Sequence, residues 1–389
     1  EMSGLYKLYT FERRPVSTDE AYPTTIEPPY HEEYSNKPFP EGWSNIDPFE
    51  SYRSLFNGDI YAAENPELIF TRGTNGDSND LKTDNTMVDF VKHQLPGTFG
   101  GYNVHGMTLK QSEAYAMADG TSFDKECYTL WKGKFTNDEN KDEHKYDNVK
   151  NGVWWGYTNR EPRFYASVHY NGRPVLSAIT VDDRNYFSSD KNKDGFGRAE
   201  YYYSGSSGAG TQMTDFTGYN VAKKVSTSSS IRNDQAVYRP YIHIRYAEIL
   251  LNYMEAMNEY NPEDPKIITY FNEIRERAGI PNITVTYPQD LGDKEKMREW
   301  ILRERQIELA FEGDRFWTLA RRLLYEKEEN RKIYRMNVLA DDQGQGFAFE
   351  GFYERKLLQT RYWDNKMYLY PIAQTEIERG RGLVQNPGW

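Results

Sequence analysis

The chain has 389 residues, 38% of them hydrophobic and 15% aromatic, enough to bury a core without disulfide or metal staples and too much for a disordered chain. Glycine and proline stand at 29 and 18, which excludes collagen-like and low-complexity classes. The net charge of −11 argues against a broad nucleic-acid footprint and against adhesion to anionic lipid headgroups.

Residues 1–160 are rich in Pro, Gly, Asn and Asp. Pro15, Pro23, Pro28, Pro29, Pro38, Pro40 and Pro48 leave no room for a long helix ahead of Pro48. From Pro48 to about Tyr61 the apolar positions Phe49, Tyr52, Leu55, Phe56 and Ile60 fit helical spacing. Residues 67–71 predict a short strand, followed by a polar loop from Arg72 to Asp80 that contains Asn75 and Asp77. Cys127 stands alone, so neither an internal disulfide nor a multi-cysteine zinc site can form, and its expected role is that of a small buried hydrophobe. Arg163 to Tyr170 has the β-branched and aromatic content of a strand. Ser204 to Gly210 has the composition of a flexible surface loop.

From Tyr241 the texture becomes helical. Apolar residues at 244, 247, 250, 251, 254 and 257 predict a helix over Tyr241–Tyr260. Asp264 is the expected N-cap of a second helix, with Pro265 at its first position and Gly279 as its stop. The short connection predicts an antiparallel pair. Asp293 caps a third helix reaching Glu312, Gly313 breaks it, and Arg315–Tyr325 continues as a fourth. Paired helices of this length have the texture of tetratricopeptide-like stacking. Trp300 and Trp317 are expected in the core of these helices. No run approaches the ~20 apolar residues of a membrane span.

Four ordered blocks carry a resemblance. They are Arg245–Tyr253, Ile274–Gly279, Glu304–Trp317, and the closing pair Leu369–Ile372 with Gln385–Trp389. Upstream, Glu161-Pro162-Arg163-Phe164 resembles an Asp-Pro-Arg-Phe element, and Leu95-Pro96-Gly97 to Asp119-Gly120 is similar as well. In this order they resemble the SusD/RagB family of outer-membrane nutrient-binding lipoproteins. The resemblance implies a mainly α fold of tetratricopeptide-like helix pairs, with long irregular loops and minor short β-strands. The change of texture at Tyr241 divides this domain into a loop-rich region, 1–240, where the resemblance implies ligand binding, and a carboxy-terminal helical part, 241–389. The resemblance implies an oligosaccharide ligand, a TonB-dependent, SusC-like transporter as partner, and a lipid anchor at the outer membrane of Bacteroidetes-type cells. A peptide ligand, as in the RagB branch, is the alternative, and a glycoside hydrolase a weaker one. The chain starts at Glu1, so the expectation is that an amino-terminal portion bearing any anchor lies outside it.

Candidate chemistry is sparse. Glu304, Glu308 and Glu312 share one helix face. They read either as catalytic or metal-binding carboxylates or, with Arg303, Arg305, Arg315 and Arg245, as a salt-bridge network, and the charge spacing favours the network. Asp190-Lys191-Asn192-Lys193-Asp194-Gly195 matches the opening of a calcium loop but lacks the closing Glu at the twelfth position, Tyr201. The six histidines show no metal spacing, and no nucleophile elbow or phosphate loop is present, so no cofactor and no enzymatic activity are expected. The ligand-binding candidates are Trp154, Trp155 and Tyr157, adjacent aromatics among Asn148, Asn151, Gly152 and Asn159, with Asn75 and Asp77 as further candidates. A flat indole covers the apolar face of a sugar ring while neighbouring amides bind its hydroxyls.

Overall fold

A computed structural model describes residues 4–14, 25–72, 81–82, 85–137, 149, 151–174, 197–211, 216–229, 234–380 and 382–389. Helices dominate, and the strands are two to five residues long and associate only in pairs among the described residues.

The first helix, α1 (Pro48–Arg53), starts at Asp47, whose carboxylate accepts from the Glu50 N–H at 2.9 Å. It stops well short of Tyr61, since the chain turns at Ser54 and runs on through Asn57 and Gly58. Strand β1 (Leu68–Arg72) lies close to its predicted position. Helix α2 (Asn85–Gln94) follows. The segment predicted as a strand at Arg163 is instead helix α3 (Pro162–Ser167), with only Val168–His169 extended. Pro162 at the first helical position starts this turn, and local preference overrides the β-like composition.

Strand β2 (Tyr241–Arg245) corrects a second expectation. These residues were assigned to the following helix, but they pair antiparallel with β1, placing Arg72 opposite Tyr241 and Leu68 opposite Arg245. Helix α4 (Tyr246–Tyr260) begins where that pairing ends. Helix α5 (Pro265–Arg277) starts as predicted, with the Asp264 carboxylate accepting from the Lys266 N–H at 2.8 Å. Gly279, at φ 72°, reverses the chain beyond it, where a Cβ would lie 2.6 Å from the Pro28 ring. Helix α6 (Lys294–Glu308) is capped by Asp293 as predicted but ends four residues short of Glu312, where the chain turns through Phe311 at φ 63°; α7 (Asp314–Arg321) follows Gly313 at φ 87° and stops before Tyr325.

Helices α5 and α6 both pack on α4. Their shared core is Leu250, Leu251, Met254, Phe271, Ile274, Met297 and Ile301. A larger core under the loop-rich half is aromatic, built on Tyr52, Phe99, Tyr115, Trp154, Tyr157, Phe164, Tyr170 and Tyr219. Cys127 is buried in it, and that burial pushes its thiol up to about 12. Amide exchange should therefore be slowest over residues 250–257 of α4 and 300–307 of α6, as in the most buried helices of any domain. A protected core confined to the loop-rich half would contradict this packing.

Two expectations about exposure fail. Ser204–Gly210 is not a free loop: Ser207 is buried, its hydroxyl accepts from the Gly97 N–H at 2.7 Å, and the Asp342 carboxylate accepts from Ser204. Trp317 is 58% exposed, because no described element covers that face of α7. Trp300 is half-buried, stacked 4.0 Å from Tyr287, with its indole N–H donating to Asp290.

Candidate functional site

The carboxylates on α6 and in the turn after it meet cations brought from distant parts of the chain. Arg163 donates to Glu161 at 2.6 Å, Glu304 at 2.6 Å and Glu308 at 2.9 Å. Arg245 reaches Glu67 at 2.6 Å, Glu308 at 2.8 Å and Glu312 at 2.7 Å. Arg277 joins Glu67 to Glu308. Lys223 donates to Glu312 at 2.7 Å, to the Tyr52 hydroxyl and to the Ala310 carbonyl. The predicted neighbours play other parts: Arg305 binds Asp314 and Asn252, and Arg303 binds the Ala114 carbonyl and Ser122.

This network is structural. Burial would raise Glu308, but the charges of Arg277, Arg245 and Arg163 outweigh it and hold the carboxyl well below its usual range. Burial likewise opposes Arg245 and Lys223 at Glu312, which is held down to about 2. Neither group is poised to exchange a proton near neutrality. The cavity beside Glu304 is about 10 Å³, room for no more than one water.

The predicted ligand residues do not form a surface. Trp154 is 1% exposed, lying between Tyr128 at 5.4 Å and Tyr353 at 5.2 Å, with its indole N–H donating to the Trp131 carbonyl at 3.0 Å. Tyr157 is buried beside it, donating to the Tyr219 hydroxyl. Trp155 is 8% exposed, with the Lys134 ammonium 4.9 Å from its ring. Both tryptophans are covered because residues 155–157 form a tight 3-10 turn rather than a strand with one open face. Asn75 and Asp77 lie outside the described residues, as does the Asp190 loop. No group of residues able to hold a metal ion occurs among the described residues.

A cleft of about 1070 Å³ opens where β1 and β2 meet α2 and the turn after α6. Its lining includes Phe90, Tyr241, Ile242, His243 and Phe311, with Arg72, Lys224, Arg239 and Glu312 among them. Tyr241 is 61% exposed and Phe90 47%. Beside the cleft Phe70, 57% exposed, stacks on His243 at 5.2 Å, and His243 meets Tyr241 edge-on at 4.8 Å. Three adjacent rings thus stand on an exposed stretch of the β1–β2 pair. Their sequence signal is the alternation Tyr241-Ile242-His243-Ile244 directly after Pro240, which is strand-like.

Cations lie deeper in the cleft. The Lys224 ammonium donates to the Phe311 carbonyl at 2.8 Å, and Arg239 donates to the Lys224 carbonyl. Lys224 and Phe311 have φ of 75° and 63°, a left-handed backbone that side-chain-bearing residues adopt at a cost. Burial lowers Arg239 to about 10 and Lys224 in the same direction, with Glu312 pulling Lys224 partly back. Burial also lowers His105, helped by His93 and Arg239, which favours the neutral imidazole.

A sequence model of the SusD family matches residues 66–389. Two SusD-like proteins of Formosa agariphila are 29% and 33% identical over 153 and 125 residues, 38% and 31% of this chain. The chain spans only 26% and 23% of those relatives. A solved SusD-like protein from Bacteroides fragilis superposes with TM-score 0.61 at 25% identity, covering 88% of this chain and 57% of the relative. A second from that organism, described as a SusD-like carbohydrate binding protein, gives TM-score 0.53 at 23% identity, covering 84% and 56%. The buried network joins separate stretches of the matched range, since Arg163, Arg245, Arg277, Glu304 and Glu308 all fall within it. This chain belongs to the SusD family.

Proposed function

We propose that this protein captures oligosaccharides at the cell surface and delivers them to a TonB-dependent outer-membrane transporter, held to the membrane by a lipid anchor outside this chain. The observation that carries the reading is the row of exposed rings, Phe70, His243 and Tyr241, standing at a cleft large enough for several sugar residues. Family membership supports it, as does the solved relative described as carbohydrate binding. No helix among the described residues is long and apolar enough to cross a membrane. A capture role without turnover fits the chemistry of the cleft. Glu312 is the sole carboxylate among its described lining residues, and Arg245 and Lys223 already hold it. Glycoside hydrolysis needs two carboxyl groups, one of them able to give up a proton near working pH.

The test is an oligosaccharide array on the full-length protein, followed by calorimetry on the best ligand. Tyr241→Ala should weaken binding about thirtyfold, since truncating a central aromatic costs ~2 kcal/mol or more. Trp317→Ala, comparably exposed on α7, should leave affinity unchanged. Incubation with the same glycans should release no reducing ends. Wild-type binding by Tyr241→Ala would move the glycan away from this cleft.

A further inference from the structure

Among its described lining residues the cleft carries more positive charge than its one carboxylate, Glu312, neutralises. Glu312 is engaged by Arg245 and Lys223 behind the lining, at 2.7 Å each. Asp234 lies 2.5 Å from the Lys92 ammonium, and Asp89 sits on the exposed side of α2. Among the described residues, no carboxylate lies within ion-pair range of Arg72, Lys224 or Arg239. The contacts of Lys224 and Arg239 are to backbone carbonyls, which bind a cation without cancelling its charge. In a chain of net charge −11 the described lining of the cleft thus runs against the overall sign. Charges left unpaired in a partly desolvated cleft attract an anion more strongly than the same charges in open water.

We propose that the cleft selects acidic glycans, with Lys224 and Arg239 holding a carboxylate or sulfate ester while Tyr241 stacks on the sugar ring. Pro240 keeps Arg239 in an extended conformation, so roughly 7 Å of chain separates the guanidinium-bearing residue from the aromatic one. One sugar unit spans that interval, with its face on the ring and its acidic substituent turned inward. Arg72, opposite Tyr241 in the β1–β2 pair, adds charge at the mouth. The guanidinium fork suits both carboxylate and sulfate oxygens, so the acid's identity is for experiment to decide. This inference rests on the cleft being the glycan site.

The experiment pairs acidic oligosaccharides with neutral counterparts on the full-length protein. One pair is tetragalacturonate and its methyl ester; the other is a sulfated galactan oligosaccharide and its desulfated form. The acidic member of at least one pair should bind more tightly, with an advantage that shrinks as salt is raised. Which pair shows it tells carboxylate from sulfate recognition. Arg239→Gln and Lys224→Gln should each remove tenfold or more of the acidic member's affinity and cost the neutral member far less, so that the acidic preference collapses. Arg72→Gln, on an exposed edge and safe for folding, should lower acidic binding and its salt dependence if either deeper variant unfolds. Equal binding of both members, or an acidic preference that survives all three variants, overturns the proposal. Tyr241→Ala separates the two readings. If it weakens both members while the cation variants do nothing, the aromatic site stands and the charge selection falls. If it weakens neither, both fall.

Discussion

Glu308→Ala should destabilise the protein by about 3–5 kcal/mol, the usual cost of removing one partner from a buried ion pair. Glu308 is fully buried and accepts from three arginines, Arg163, Arg245 and Arg277. Each came out of water to reach it, and the alanine variant leaves their charge against Glu67, Glu161, Glu304 and Glu312 alone. Glu308→Gln keeps the shape and part of the hydrogen bonding, so it should lose less. Urea unfolding at neutral pH measures both. Glycan affinity of the folded fraction should stay at the wild-type value, because Glu308 itself does not line the cleft. A variant that keeps its midpoint and loses binding would place Glu308 in the site. The same network sets acid stability. Glu308 and Glu312 have folded pKa values below the ordinary 4.5, Glu312 at about 2. Their contribution is complete above pH ~4.5 and is lost as pH falls toward 2. Stability should drop steeply in that window, and Glu308→Ala should flatten the slope.

Trp154→Ala should cost about 3–5 kcal/mol as well, by emptying a large, closed aromatic site. The indole is stacked on both faces, by Tyr128 and Tyr353, meets Tyr157 edge-on at 5.3 Å, and spends its N–H on the Trp131 carbonyl. Gly156 packs so close that a Cβ there would sit 2.0 Å from the ring, so the neighbours cannot fill the hole without moving backbone. Trp155→Ala, at the cluster's edge under Lys134, should cost clearly less. Thermal melts of the two variants give the comparison. If Trp154→Ala kept its melting temperature and lost glycan binding, the ring would belong to the ligand rather than the core.

Much of the helical half was legible because its signals are local. Asp264, Pro265 and Gly279 mark the ends of α5 through their own backbone preferences, and Asp293 does the same for α6. The spacing of Glu304 and Glu308 marks one face of α6, whereas Glu312, expected on the same face, lies in the turn beyond the helix's end. The ordered blocks from Arg245 to Trp389 carried the family, and with it the fold class.

Burial and partnership were not legible, since both depend on what packs against a residue from far along the chain. Arg245 was expected among the partners of the α6 glutamates, but nothing local to α6 says that Glu308 also meets Arg163 and Arg277 instead of its neighbours Arg303 and Arg305. Tyr241–Arg245 has helical periodicity with α4, yet pairing with Leu68–Arg72 makes it a strand and turns Tyr241 outward. Trp154 and Tyr241 both sit in aromatic, polar-flanked sequence. Tyr128 and Tyr353 close over the first, and no described residue closes over the second. The sequence by itself determined the main helices of the carboxy-terminal half, the caps of α5 and α6, and the family. Only the tertiary structure decided which rings face solvent and which charges are left unpaired, because exposure and net local charge are sums over neighbours that sequence distance does not order.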